Sequence, residues 1–340
     1  MKKLVDDPAN AVTDSLAGFA LAHADTVAVH GIDPSTLART GPVYATRKQP
    51  APHGTVAVIS GGGSGHEPLH IGFIGEGMLD AAVPGPMFTS PTPDCIYEAI
   101  RAAHAGAGVL LIVKNYTGDV LNFDMAADLA ADDGIAVRTV IVEDDVAVEN
   151  SLHTIGRRGV AGTLLVEKIA GAAAARGDCL DDVAAVAQHV IDNVRSMGVA
   201  LTPCTVPQIG RPSFDLPADE IEIGIGIHGE PGRYRAPVAP ASTITRDILD
   251  PVIADLRVND GEKVLLYVNG MGATPLSELY IIYGAARRLC DERGIIVDRS
   301  LVGDYVTSLE MQGASVTLLR LDDELTALWD APVNTVTLAW

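Results

Sequence analysis

Three short apolar runs constrain this chain more than any other feature. Val56–Ile59, Val109–Val113 and Val137–Val142 each hold four to six residues, rich in β-branched side chains, and each stops at a polar or glycine-rich break. A strand that is apolar on both faces must be covered on both faces. The stretches between the runs read as helices: one opens at Pro93-Asp94 and continues through Ile96, Ile100 and Ala103, and another begins over Phe123–Leu129. Strand–helix alternation of this kind predicts a mainly parallel sheet flanked by helices.

The pattern changes at residue 157. RRGVAGTLLVEKIAGAAAARG and LDDVAAVAQHVIDNVRSMG read as two consecutive helices, and in the second Val183, Val186, Val190 and Val194 form one apolar stripe at three- and four-residue steps. Strand signals then resume at Glu220–Ile227, Val264–Val268 and Ser315–Leu321, with long helices near Ile244–Leu256 and Pro275–Arg293. The expected fold is α/β, with two α/β domains, each a largely parallel or mixed sheet flanked by helices. The boundary falls near residue 195, giving domains 1–195 and 196–340 of the 340 residues. No internal repeat is evident.

Charge and cysteine usage exclude several function classes. The formal net charge of −20 repels phosphate backbones and anionic bilayers, so neither nucleic acid nor a membrane surface is an expected partner. No run of about 18 apolar residues suggests a membrane span. The first residues, MKKLVDDPANAV, lack the apolar segment of a signal peptide. Cys95, Cys179, Cys204 and Cys290 lie far apart with no CxxC pair, as expected of reduced thiols. A cytoplasmic location is the expectation.

The first apolar run ends in SGGGSGHEPLH, residues 60–70. His66 stands where a P-loop needs lysine, so no nucleotide motif is present. Gly-Ser-Gly followed by His-Glu-Pro also departs from the dinucleotide fingerprint and from the nucleophile elbow. HEPLH matches the zinc motif HExxH letter for letter, but that chemistry needs a regular helix, and Pro68 sits between the two histidines. The expectation is no metal, with His70 packed on a helix near the turn. What survives is a glycine turn whose amides can hold an oxygen and which presents His66. Two further strand ends carry polar groups: Lys114 and Asp119 in KNYTGD, and His228 in IHGEPG. Ligands of open α/β sheets bind beyond the carboxyl ends of strands, so the three turns form one candidate site. Asp119 is equally suited to capping the helix expected from about Val120. The tract Asn269–Thr274 also follows a strand, as a docking face or as a plain turn.

SGGGSGHEP, KNYTGDVLNF and GIGIHGEPG, in that order, together with the terminal APVNTVTLAW, resemble the substrate-binding subunit of dihydroxyacetone kinases of the phosphotransferase-linked type. The resemblance extends over nearly the whole chain. It implies a homodimer that binds dihydroxyacetone as a covalent hemiaminal on His228. It implies that His66 and Asp119 act as the acid–base pair, and that Lys114 with Gly63, Ser64 and Gly65 holds the substrate. A nucleophilic imidazole bonds to a ketone and cannot bond to an alcohol, so this chemistry would separate dihydroxyacetone from glycerol. General-base help is worth roughly 10²–10⁴-fold. The chain carries no nucleotide motif, so no cofactor is expected on it. ADP or ATP with magnesium is expected on a helical partner subunit, recharged from phosphoenolpyruvate by a phosphocarrier subunit. Two alternatives stay open: a non-catalytic coactivator that senses dihydroxyacetone, and a kinase subunit for another short ketose such as erythrulose.

Overall fold

The computed structural model describes residues 2–148 and 156–340. In chain order, helix α1 (Ala11–Ala22) precedes strands β1 (Val27–Asp33), β2 (Ala38–Arg47), β3 (Ala57–Ser64), β4 (Gly75–Glu76) and β5 (Ala81–Met87). Then come α2 (Pro93–Ala103), β6 (Val109–Lys114), α3 (Thr117–Asp132), β7 (Val137–Val142), α4 (Thr163–Arg176), α5 (Leu180–Asn193) and β8 (Val194–Ala200). The remainder runs β9 (Glu220–Ile223), β10 (Tyr234–Pro237), α6 (Ala241–Leu256), β11 (Lys263–Gly270), α7 (Leu276–Glu292), β12 (Ile296–Gly303), β13 (Gly313–Arg320), α8 (Asp323–Asp330) and β14 (Asn334–Thr335).

Two six-stranded sheets result, both mixed. The first has the order β1-β2-β5-β3-β6-β7, with β5, β3, β6 and β7 parallel and the β1–β2 hairpin added antiparallel. The second has the order β10-β9-β8-β13-β11-β12 and is antiparallel except for β11 and β12. Side-chain alternation assigns each face. On β6, Leu110 and Ile112 face α4 and α5, while Val109, Leu111 and Val113 face α2 and α3. On β11, Leu265 and Tyr267 join the same α4–α5–α8 core, while Val264, Leu266 and Val268 face α6 and α7. Helices α4 and α5 therefore lie between the two sheets. This explains why residues 163–174 of α4 are all buried: a helix covered on every side needs no polar face.

The structure corrects three local expectations. The second helix of the 157–200 region stops at Asn193, and Val194 opens β8, where β-branched packing against β13 prevails over the helical stripe. The strand expected over Glu220–Ile227 stops at Ile223, because Gly224 takes φ +83°, a conformation that turns the chain out of the sheet. The third helix begins at Thr117, three residues before Val120.

The chain passes from the first sheet to the second at the α5–β8 junction, and a buried carboxylate ties the two together there. Asp144 follows β7 and accepts hydrogen bonds from Val160 N (2.8 Å), Gly162 N (2.7 Å) and the hydroxyl of Ser196 on β8 (2.5 Å). Removing it leaves the buried Val160 and Gly162 N–H groups without a partner, each costing about 1–3 kcal/mol, while the Ser196 hydroxyl keeps Thr317 Oγ1 at 2.7 Å. Asp144→Ala should therefore lose about 2 kcal/mol or more of stability, read as a lower urea midpoint. An unchanged midpoint would show that this carboxylate is not a structural tie.

Candidate active site

Three loops meet beyond the strand ends of the first sheet, and one of them comes from the second sheet. His66 lies two residues past β3 and is fully buried. Its Nδ1 is 2.7 Å from the carbonyl oxygen of Thr307. A carbonyl only accepts, so the hydrogen of the neutral ring sits on Nδ1 and the Nε2 lone pair is free. Nε2 has no partner among the described residues. Burial, followed by the charges of His228 and Lys114, holds His66 well below its usual 6.5. The ring is therefore a neutral base with an empty acceptor position.

Thr307 is placed from the second sheet. Asn269, at the end of β11, donates to Val306 O (2.8 Å) and accepts from Tyr305 N (3.0 Å) and Val306 N (2.9 Å). The loop so fixed bonds back to the glycine turn through Leu309 N to Gly65 O (2.8 Å) and the Thr307 hydroxyl to Glu67 O (3.0 Å). Within the Asn269–Thr274 tract, Asn269 and the Met271 carbonyl, which accepts from Ser308 N (3.0 Å), both fix this loop.

His228 stands at the centre of an aromatic enclosure. Its ring centroid is 4.6 Å from Tyr116, 4.8 Å from His66 and 5.3 Å from Phe88. Phe88 also stacks on His66 at 5.1 Å. Gly63 makes this possible: a Cβ there would lie 2.4 Å from Thr89 N and 2.7 Å from the Phe88 backbone. Glu230 holds the other side of His228, accepting from its backbone N–H (3.0 Å) and lying 2.8 Å from Nδ1. Burial pushes the Glu230 carboxyl up, but His228 and Arg158 outweigh it and bring Glu230 down to about 2. An ionised carboxylate at Nδ1 fixes the hydrogen there and leaves the lone pair of His228 on Nε2. Arg158 is itself buried. It pairs with Asp145 (2.7 Å) and donates to Gly224 O (2.8 Å) at the start of the loop that carries His228.

Asp119 is the third residue of α3, in its first turn rather than at its cap. It is buried, and Oδ1 has no partner among the described residues. The Tyr116 hydroxyl is likewise without one, and burial keeps it a phenol far above its usual range. Three unpaired polar atoms thus belong to one site, which is unusual in an interior where such groups are nearly always bonded.

The other expected site residues lie beneath these. Lys114 ends β6, and its Nζ is 2.7 Å from His70 Nε2 and 3.3 Å from Gly61 O. Gly62 admits it: a Cβ there would be 2.4 Å from Nζ. The donors expected of the glycine turn are partly engaged already, since Ser64 Oγ donates to Gly85 O (2.7 Å) and Gly65 N–H to the Glu67 carboxylate (3.0 Å). No helix spans residues 66–70, so HEPLH lacks the frame of a zinc motif. His70 does pack against a helix, through Glu167 of α4. It precedes a single 3₁₀ turn (Ile71–Phe73), with Nδ1 2.5 Å from Glu167 Oε1. Sequence reasoning missed Phe88, Thr307, Glu167 and Arg158, which lie far from the motifs they serve. Tyr116 and Glu230 stood inside quoted motifs, but adjacency alone gave them no role.

Comparison with known proteins identifies the family. The Dak1 domain family matches residues 17–337. The dihydroxyacetone-binding subunit DhaK of PTS-dependent dihydroxyacetone kinase 1 of Listeria innocua is 50% identical, covering 100% of both chains. The dihydroxyacetone-binding subunit DhaK of the PEP-dependent dihydroxyacetone kinase of Escherichia coli is 47% identical, over 100% of this chain and 99% of that protein. Among solved structures, the dihydroxyacetone kinase of C. freundii superposes with a TM-score of 0.87 at 36% identity, over 99% of this chain; the present chain spans 60% of that one. The dihydroxyacetone kinase operon co-activator DhaQ superposes with a TM-score of 0.86 at 33% identity, covering 95% of this chain and 97% of that one. With the family match over residues 17–337 and likeness to these relatives along the whole chain, the chain belongs to the Dak1 family, as a relative of the dihydroxyacetone-binding DhaK subunits of PTS-dependent dihydroxyacetone kinases.

Proposed function

We propose that this chain is the dihydroxyacetone-binding subunit of a phosphoenolpyruvate-dependent dihydroxyacetone kinase. It would act as a homodimer and receive the phosphoryl group from a helical partner subunit that carries the nucleotide and magnesium. The observation that carries this reading is a pair of histidines whose Nε2 atoms have no hydrogen-bond partner among the described residues and whose Nδ1 atoms are engaged, His228 by Glu230 and His66 by Thr307.

The two rings then do different work. His228 Nε2 adds its lone pair to the central carbon of dihydroxyacetone. The C–N bond forms as the carbonyl π bond opens, and the carbonyl oxygen takes up a proton to give a hemiaminal. Positive charge grows on the His228 ring, and the Glu230 carboxylate offsets it at Nδ1. The Tyr116 phenol is a donor beside the ring for the former carbonyl oxygen. His66 Nε2 or the Asp119 carboxylate accepts the proton of a terminal hydroxyl as that oxygen attacks phosphorus. Positioning of donor and acceptor supplies most of the remaining rate.

A dihydroxyacetone-sensing coactivator is the second reading, favoured by the overall likeness to DhaQ. An unpaired base at His66 is superfluous in a sensor. Turnover decides: the wild-type chain with its partner subunits should convert dihydroxyacetone to its phosphate, and absence of turnover alongside an intact adduct would favour the sensor. Running erythrulose beside dihydroxyacetone in the same assay fixes the preferred ketose.

Two outcomes test the division of labour. His66→Ala should retain the covalent adduct, seen by mass spectrometry of the intact protein, yet lose roughly 10²-fold or more in kcat. Glu230→Gln should instead weaken adduct formation, since the carboxylate charge at Nδ1 is lost. If His66→Ala abolishes the adduct and Glu230→Gln spares it, the roles are reversed.

The pH profile checks the state of His66. Its folded value lies below 6.5, so the base stays unprotonated as pH falls through 6.5. The acid limb of kcat/KM, followed between about pH 5 and pH 8, should therefore have its midpoint below 6.5. A midpoint at or above 6.5 would mean that a different group is the base.

A further inference from the structure

His70 is the second histidine of HEPLH, and the mechanism above leaves it idle. Its surroundings are not those of a packing side chain. Three buried titratable groups stand in line, each from a different element: Lys114 at the end of β6, His70 before the 3₁₀ turn, and Glu167 in the second turn of α4. Lys114 Nζ is 2.7 Å from His70 Nε2, and His70 Nδ1 is 2.5 Å from Glu167 Oε1. Glu167 belongs to the all-buried stretch of α4, where packing alone calls for an apolar side chain.

We propose that Lys114, His70 and Glu167 form a buried proton relay that moves positive charge toward and away from the reacting site without exchange with solvent. In one state Lys114 is an ammonium that donates to Nε2, and the ring donates from Nδ1 to the Glu167 carboxylate. In the other, the Lys114 proton has passed to Nε2 and the Nδ1 proton to Oε1. Lys114 is then an amine, His70 is its other tautomer, and Glu167 is a carboxylic acid. Both hydrogen bonds persist with reversed direction, and the triad stays electrically neutral throughout.

Two observations favour access to both states. Burial pushes Glu167 up to about 8 and pulls Lys114 down, so their proton affinities approach each other. Glu167 Oε2 has no partner among the described residues, a smaller burden for a carboxylic acid than for a carboxylate. The groups whose charges act on Lys114 are Asp119 and Glu167, while Lys114 and His66 act on His70.

The purpose rests on the proposed kinase function. If His66 takes the hydroxyl proton, it becomes a buried cation under the influence of the Lys114 ammonium. Moving the Lys114 proton to Glu167 withdraws that second cation at the moment the first appears. His70 and Glu167 touch no substrate in this scheme and act through Lys114.

Glu167→Gln is the decisive variant. Glutamine keeps the volume and an oxygen that accepts from Nδ1–H, but it cannot take up the proton. In the full-length chain with its partner subunits, kcat should fall by about tenfold or more. KM for dihydroxyacetone, the His228 adduct and the unfolding temperature should stay near wild type. A merely structural role would move the unfolding temperature and KM together with kcat, and that result, or an unchanged kcat, overturns the relay. His70→Gln breaks the line at its middle and should show the same split if Glu167→Gln folds poorly. An independent reading comes from nitrogen NMR of ring-labelled histidines in the wild-type chain. Ring shifts of His70 intermediate between the two tautomers, or shifting on addition of dihydroxyacetone, support the relay, and a ring fixed as Nδ1–H in both conditions overturns it. This measurement needs no turnover. A wild-type chain with neither turnover nor adduct would therefore overturn the kinase reading while the ring shifts still decide whether the relay exists.

Discussion

The site depends on one contact between the two sheets, the hydrogen bond from His66 Nδ1 to the carbonyl of Thr307. His66 belongs to the turn after β3, and Thr307 to the loop after β12, 241 positions later in the chain. The bond chooses the tautomer of His66 and so decides which nitrogen faces the site. It holds only if the second sheet stands in fixed relation to the first. That relation comes from α4 and α5, packed between both sheets, and from Asp144, which bonds to Val160, Gly162 and Ser196 at once. Stability and site geometry are linked here: a shift of one sheet against the other would break the bond that fixes the His66 ring.

The same logic extends to His228. Its tautomer is set by Glu230, and Glu230 is kept ionised by His228 itself and by Arg158. Arg158 stands just before α4, beside the β7 end of the first sheet, yet it bonds the backbone of the loop that follows β9 in the second. His66 is therefore oriented directly from the opposite half of the molecule, and the loop that carries His228 is braced from it through Arg158. A buried arginine paired with Asp145 is expensive to desolvate and contributes little net stability. Orientation of the loop that carries His228 explains its presence better than stability does.

Much of this was legible in the sequence. The apolar runs at 56–59, 109–113 and 137–142 became β3, β6 and β7, because strands buried on both faces have no room for polar alternation. His66, Lys114, Asp119 and His228 were visible because strand ends carry the chemistry of open α/β sheets. Less legible was what long-range packing decides. The helical stripe through Val194 failed because β13 offered that residue a ladder partner, and periodicity cannot see a strand more than a hundred residues away. The β1–β2 hairpin carried no strong run. Thr307, Phe88 and Glu167 carry no motif at all. Their roles exist only once the fold brings them to a histidine.

His70 shows how a motif can mislead and still mark something. HEPLH imitates a zinc site in letters, but the backbone over 66–70 is not helical, so the two histidines share no helical face. Each turns its Nδ1 to a different oxygen, His66 to a carbonyl and His70 to a carboxylate. That difference is chemically consequential. A carbonyl cannot accept a proton outright, so His66 keeps one tautomer and a constant empty position. A carboxylate can accept one, so His70 is free to exchange tautomers with Lys114 on its other side. Two histidines four residues apart thus fit two distinct tasks, a fixed base above the glycine turn and a proton conductor below it. Gly62 leaves room for the Lys114–His70 contact, since any side chain there would meet the Lys114 ammonium and press toward His70.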